Sequence, residues 1–170
     1  MPSVRGLCHL PVWIGSAMTD SMDDLVRKQI NVRVLGVPLT VPLMTKVEEG
    51  FWFGGLPSRP VPFDYVLDLY GERPIVGQPN LRVVPFPDNP LVPIPDDSEG
   101  LAAWVNEKRA KGTVYVHCAA GINRSAFIVV LSLVRRGLDA RTVIADLRAR
   151  RHESILCNTA FERYLLEIET

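Results

Sequence analysis

The sequence predicts an α/β fold, a central mixed, mainly parallel sheet flanked by helices. Three observations carry this. Short apolar or β-branched runs alternate with segments of helical periodicity through the C-terminal two-thirds of the chain. The stretch Val114–Phe127, V-Y-V-H-C-A-A-G-I-N-R-S-A-F, reads as strand, tight loop and helix in succession. A length of 170 residues, 47% of them hydrophobic, suits one domain with a sound core.

The elements follow in order. Residues 1–45 are read as an N-terminal extension that precedes or packs on a domain spanning residues 46–170. Within it, Gly6–Ala17 is mildly apolar behind Arg5, but His9 and Pro11 interrupt it, so it is not read as a signal sequence. Met18 and Met22 are alternative starts. Asp23–Ile30 suits a short helix, and Asn31–Leu43 an extended segment that Pro38 and Pro42 confine to an edge or covering strand. Val47–Phe53 is strand-like and ends at the turn Gly54-Gly55-Leu56-Pro57-Ser58; Phe63–Leu69 gives a second strand and Leu81–Phe86 a third. The stiff stretch Pro85–Pro95 leads to Asp96-Asp97-Ser98, a capping cluster for a helix over Glu99–Ala110. Ser125–Arg136 is apolar on most faces and hence a buried central helix. Leu138–Arg150 follows with Asp139 as N-cap, and Asn158 opens a last helix that places Phe161, Tyr164, Leu165 and Ile168 at core spacing.

The junction at Val114–Phe127 is an anion socket by its physics. The first amides of a helix lack partners within it, and the helix dipole adds positive charge there. Ala119, Ala120 and Gly121 have almost no side chain, so the loop can curl with its N–H groups inward around a phosphate. Arg124 closes the socket with a planar fork that grips two oxygens at once. Cys118 stands at its lip, where helix N-termini and cations favour a thiolate, which is a nucleophile aimed at phosphorus. Ser125 can donate a hydrogen bond to that sulfur, and His117 is read as a brace for the loop. A strand-end Cys or a helix-start Arg is ordinarily structural, but the full H-C-x-x-G-x-x-R-S string at a strand-to-helix junction is specific.

On His117, Cys118, Gly121, Arg124 and Ser125 the sequence resembles the cysteine-dependent protein tyrosine phosphatase superfamily, and its small dual-specificity-like branch in particular, over roughly Val47–Leu166. The resemblance implies the superfamily's phosphatase fold, and a phosphoryl site formed by Ala119, Ala120, Gly121, Ile122, Asn123 and Arg124. It also implies an aspartic acid on a separate loop that protonates the leaving oxygen. Asp88 is assigned that role: it lies thirty positions before Cys118, at the end of a predicted strand, with Asn89 completing a D-N pair frequent in the family. Asp96 and Asp97 compete but fit capping better, and Asp68 reads as a strand-end turn residue. No metal and no cofactor are assigned.

Composition narrows the partners. Formal net charge is zero, so no strong field draws the chain to nucleic acid or anionic membrane, and no transmembrane segment is predicted. Cys8, Cys118 and Cys157 suit neither a disulfide framework nor a zinc knuckle, and a reactive Cys118 favours a reducing, cytoplasmic setting. Cys157 as a redox partner of Cys118 has only thiolate chemistry in its favour. The run Arg148–His152 is read as the cationic end of a helix.

Substrate class rests on the loop. Its variable positions, Ala119, Ala120, Ile122 and Asn123, are not basic, which disfavours phosphoinositides and favours phosphorylated protein, phosphotyrosine first. Asn123 before Arg124 instead resembles the RNA 5′-triphosphatase branch, whose Thr-His after the Cys and Thr after the Arg are absent. A non-catalytic phosphate-binding module is the remaining alternative. The roles assigned to Cys118 and Asp88 predict a bell-shaped pH–rate profile, rising as the thiol ionises and falling as the carboxylic acid does. A flat profile between about pH 4 and 9 would contradict them.

Overall fold

The computed structural model describes residues 20–168; the apolar stretch Gly6–Ala17, Cys8 and Met18 lie outside them. Its main sheet has five strands in the order β3-β4-β7-β5-β6. These are β3 (Met44–Glu48), β4 (Phe51–Gly54), β5 (Tyr65–Asp68), β6 (Leu81–Val83) and β7 (Val114–His117). Only the β3–β4 pair is antiparallel. The predicted α/β class therefore stands. The predicted single strand Val47–Phe53 does not, because the chain turns at Glu49-Gly50 into a hairpin. Gly50 takes φ +67, which glycine adopts without steric cost.

A second hairpin, β1 (Gln29–Val34) and β2 (Val37–Pro42), forms a separate two-stranded sheet where one covering strand was expected. Its pattern alternates: Ile30, Val32, Val34, Leu39 and Val41 pack on the main core, while Gln29, Asn31 and Arg33 face out. Period-two alternation of this kind is what one buried face requires. The turn between them holds Leu35 and Gly36 at φ 48 and 81. A short helix, α1 (Met22–Arg27), precedes it, its N-terminus capped by Ser21.

Four helices follow the sheet: α2 (Ser98–Arg109), α3 (Arg124–Val134), α4 (Ala140–Arg150) and α5 (Thr159–Glu167). Asp139 and Asn158 cap α4 and α5 with their side chains, as their sequence positions imply. Asp97 occupies the N-cap of α2 but its side chain accepts no backbone N–H, the carboxylate lying 3.6 Å from Arg82 instead. Helix α3 is buried from Ser125 through Val134, which is why its sequence carries no polar face. Phe127 stacks on Phe161 of α5 at 4.6 Å and meets Tyr164 edge-on at 5.8 Å.

The bare strand ends converge. Gly54, Asp68 and His117 lie in register at the C-terminal ends of three adjacent parallel strands, so the loops leaving those strands share one edge of the sheet. Because Phe127 ties the central helix to α5, Phe127→Ala should lower stability by about 3–5 kcal/mol, read as a lower urea midpoint with an unchanged slope.

Candidate active site

Cys118 follows β7 directly and is 2% exposed. Its Sγ accepts the Gly121 N–H at 3.3 Å and lies 3.5 Å from the Ser125 hydroxyl. A backbone donor and a hydroxyl thus meet on one sulfur. Gly121 has φ +70, and a Cβ there would sit 2.3 Å from the Gly54 carbonyl carbon. No other residue fits without moving β4. Gly54 is equally constrained, since a Cβ on it would meet the Leu43 carbonyl oxygen at 2.0 Å.

Asn123 stands at the N-cap of α3 but gives its helix no side-chain cap. The opening amides of α3 are left for another acceptor. Arg124 follows at the first turn. One guanidinium nitrogen is held by the Leu69 and Phe86 carbonyls, each at 3.2 Å, with the Tyr70 ring 5.3 Å away. Its Nε is buried and has no partner within the described residues. The guanidinium is thereby aimed by two neighbouring loops while keeping a donor in hand.

Asp88 lies in the loop after β6. Its Oδ2 accepts from Asn123 Nδ2 at 3.0 Å and its Oδ1 from Asn158 Nδ2 at 2.9 Å. The loop is seated by Phe86, buried edge-on against Phe161 at 6.0 Å, and turned by Asn89, whose side chain accepts the Leu91 N–H. Asp88 borders two hollows. A cleft of about 570 Å³ contains Tyr70, Phe86 and Arg124; a cavity of about 170 Å³ contains Ala120, Ile122, Asn123 and the hairpin tip Arg33–Leu35. The structure thus brings Asp88 to the phosphate loop. Asp96 and Asp97 line neither hollow.

His117 is fully buried, stacked beside Tyr115 with ring centres 5.7 Å apart. Burial pushes its imidazole well below the ordinary histidine range, against the opposing pull of Asp68, so it stands neutral behind the loop. Asp68 accepts the Tyr70 and Gly71 amides, the strand-end turn role its position implied. Cys157 contacts Asn123, 3.4 Å from its Nδ2.

Sequence reasoning missed Arg151. The basic run divides: Arg148 pairs with Glu162 at 2.9 Å, Arg150 with Asp146 at 2.9 Å, but Arg151 is 6% exposed. Its guanidinium donates to the carbonyls of Gly121 (2.7 Å) and Ala120 (3.0 Å) and to the Thr45 hydroxyl (3.1 Å). In a trans peptide C=O and N–H point opposite ways. Holding those two carbonyls behind the loop therefore turns the Gly121 and Ile122 N–H groups forward. Burial lowers the Arg151 pKa, against an opposing electrostatic pull from its neighbours. One signal was available in the sequence: Ile144, Leu147 and Arg151 lie on one helical stripe, which makes the arginine an extension of a buried face.

A cysteine and an arginine on one loop, between the central strand of a mainly parallel sheet and a buried helix, define the cysteine-dependent phosphatase class. Residues 59–170 match the family described as dual specificity phosphatase, catalytic domain, and the chain belongs to that family. It is 25% identical over 143 residues to dual specificity protein phosphatase OPG106 of vaccinia virus, covering 74% of this chain and 81% of the viral one. A mouse putative dual specificity phosphatase, solved with zinc tungstate, has a similar fold, with TM-score 0.62, 18% identity, and 74% and 87% of the two chains covered. So has a human tyrosine phosphatase-like serine/threonine/tyrosine-interacting protein, with TM-score 0.62, 21% identity, and 73% and 93% covered.

Arg151→Met should weaken competitive inhibition by inorganic phosphate and lower kcat/KM by at least about tenfold, the scale of losing hydrogen bonds from a charged donor. Arg151→Lys should restore part of both.

Proposed function

We propose that the protein hydrolyses phosphate monoesters on proteins, phosphotyrosine first and phosphoserine and phosphothreonine with it, through a phosphocysteine intermediate. The observation that carries this reading is the Cys118 sulfur, in reach of both the Gly121 amide and the Ser125 hydroxyl on the loop that ends in Arg124. The Cys118 thiolate attacks phosphorus, the bond to the leaving oxygen breaks, and Asp88 gives that oxygen its proton. Water then attacks the phosphocysteine, loses a proton to the Asp88 carboxylate, and expels the thiolate, which the Ser125 hydroxyl stabilises. Arg124 and the amides of residues 119–124 bind the equatorial oxygens through both steps. His117 and Arg151 brace the loop from behind.

In this reading residues 46–170 form the catalytic unit and residues 1–45 its extension. The tip of the β1–β2 hairpin supplies one wall of the cavity beside Asp88. A thiolate nucleophile is kept reduced in a reducing compartment, which supports a cytoplasmic setting. No helix among the described residues is long and apolar enough to cross a membrane. Asn123, the residue that pointed toward RNA 5′-ends, has a different employment here, with its amide engaged by Asp88 and Asn158.

The test is phosphate release, with a chelator present, from a phosphotyrosine peptide, a phosphothreonine peptide and a 5′-triphosphorylated RNA. Both peptides should be hydrolysed, the tyrosine one faster, and Cys118→Ser should reduce release to background. Turnover of the RNA alone would overturn the substrate assignment, and peptide binding without turnover would leave a phosphate-binding module.

A further inference from the structure

The Asp88 carboxylate is gripped by two neutral amides, and the orientation of both amides is fixed by the backbone. Asn123 Oδ1 accepts the Asn158 N–H at 3.0 Å, so its Nδ2 must face Asp88. Asn158 Oδ1 accepts the Ala160 and Phe161 N–H groups at 3.1 and 3.4 Å, so its Nδ2 must face Asp88 as well. Neither side chain can flip without stranding a backbone donor at the start of α5. Three segments distant in sequence thus meet on one carboxyl group: the loop after β6, the phosphate loop and the N-cap of α5.

The chemistry of the donors matters. Two neutral amides fix the direction of the carboxyl through both of its oxygens. Each carboxyl oxygen spends one acceptor site on its asparagine and keeps another for the reacting oxygen. The acid is therefore set at hydrogen-bonding geometry before substrate arrives, with the loop entropy already spent in folding.

We propose that Asn123 and Asn158 are positioning residues for proton transfer by Asp88, and that this clamp enables the enzyme to cleave alkyl phosphate monoesters, phosphoserine and phosphothreonine, as well as aryl ones. The proposal rests on the Asp88 role in the mechanism above. An alkoxide departs poorly unless it is protonated as the P–O bond breaks; a nitrophenolate departs without help. Loss of positioning therefore falls on the alkyl esters.

The experiment compares kcat/KM for 4-nitrophenyl phosphate and a phosphothreonine peptide in the full chain, in Asn158→Ser, in Asp88→Ala and in the double variant. Serine keeps a side-chain cap for α5 but is too short to reach Asp88. The aryl-to-alkyl ratio should rise at least about tenfold in Asn158→Ser, within the usual span of general acid catalysis, and further in Asp88→Ala. The second substitution should add nothing once Asp88 is gone. A ratio is independent of how much protein is folded, so lost stability cannot imitate the result. Asn123→Ser should move the ratio the same way. If Asn158→Ser lowers both substrates equally, or adds its full effect on top of Asp88→Ala, the clamp is structural and the proposal fails. If Asp88→Ala leaves the ratio unchanged, the acid assignment itself is wrong and the proposal falls with it.

Discussion

The site depends on a buried cation. Among the described residues Arg151 pairs with no carboxylate, and removing an unpaired charge from water costs several kcal/mol even after relaxation. The protein meets that cost with two loop carbonyls, the Thr45 hydroxyl and the face of Phe53, 5.4 Å away. What makes the arrangement useful is that those carbonyls belong to the loop that, in the proposed mechanism, presents its amides to phosphate. Charge placed behind the loop also favours negative charge in front of it. The same side chain thus holds the loop's shape and sets its electrostatic sign.

Close approach is the second constraint, and it is set by glycine. Gly54 and Gly121 pack so tightly that a methyl on either would collide with backbone of a neighbouring segment. Tyr115, fully buried, donates its hydroxyl to the Gly55 carbonyl at 2.7 Å, and the Leu56 N–H donates to the Ala119 carbonyl at 3.1 Å. The loop after β4 therefore forms the floor on which the phosphate loop rests. Arg124 is aimed by the carbonyls of two further loops. A rigid sheet edge, rather than any one loop, gives the site its geometry.

What was legible in the sequence was local. The strand-loop-helix junction could be read because its residues must satisfy a phosphate-sized curl within a few positions, and Asp139 and Asn158 because capping is local. That Asp88 lies in the loop beyond the third predicted strand could be read, its partners could not. Asn123 could be read only by type, as resembling another branch, because the contact its amide makes is 35 residues away. Arg151 was hidden for a related reason: charge runs ordinarily face water, and only tertiary packing turned one member inward. The β3–β4 hairpin did carry a local signal, since Glu48-Glu49-Gly50 interrupts the apolar run, but the short β-rich stretches on either side read as one continuous strand.

Asn158 serves two structures at once, the start of α5 and the carboxyl of Asp88. The C-terminal helix and the acid loop are consequently one cooperative unit, since releasing the helix start releases the carboxyl. Local opening of α5 and loss of the assembled acid share a single equilibrium. On the proposed role of Asp88, the fraction of native molecules with that carboxyl in place is then governed by how firmly the last helix holds to Phe127 and Phe86.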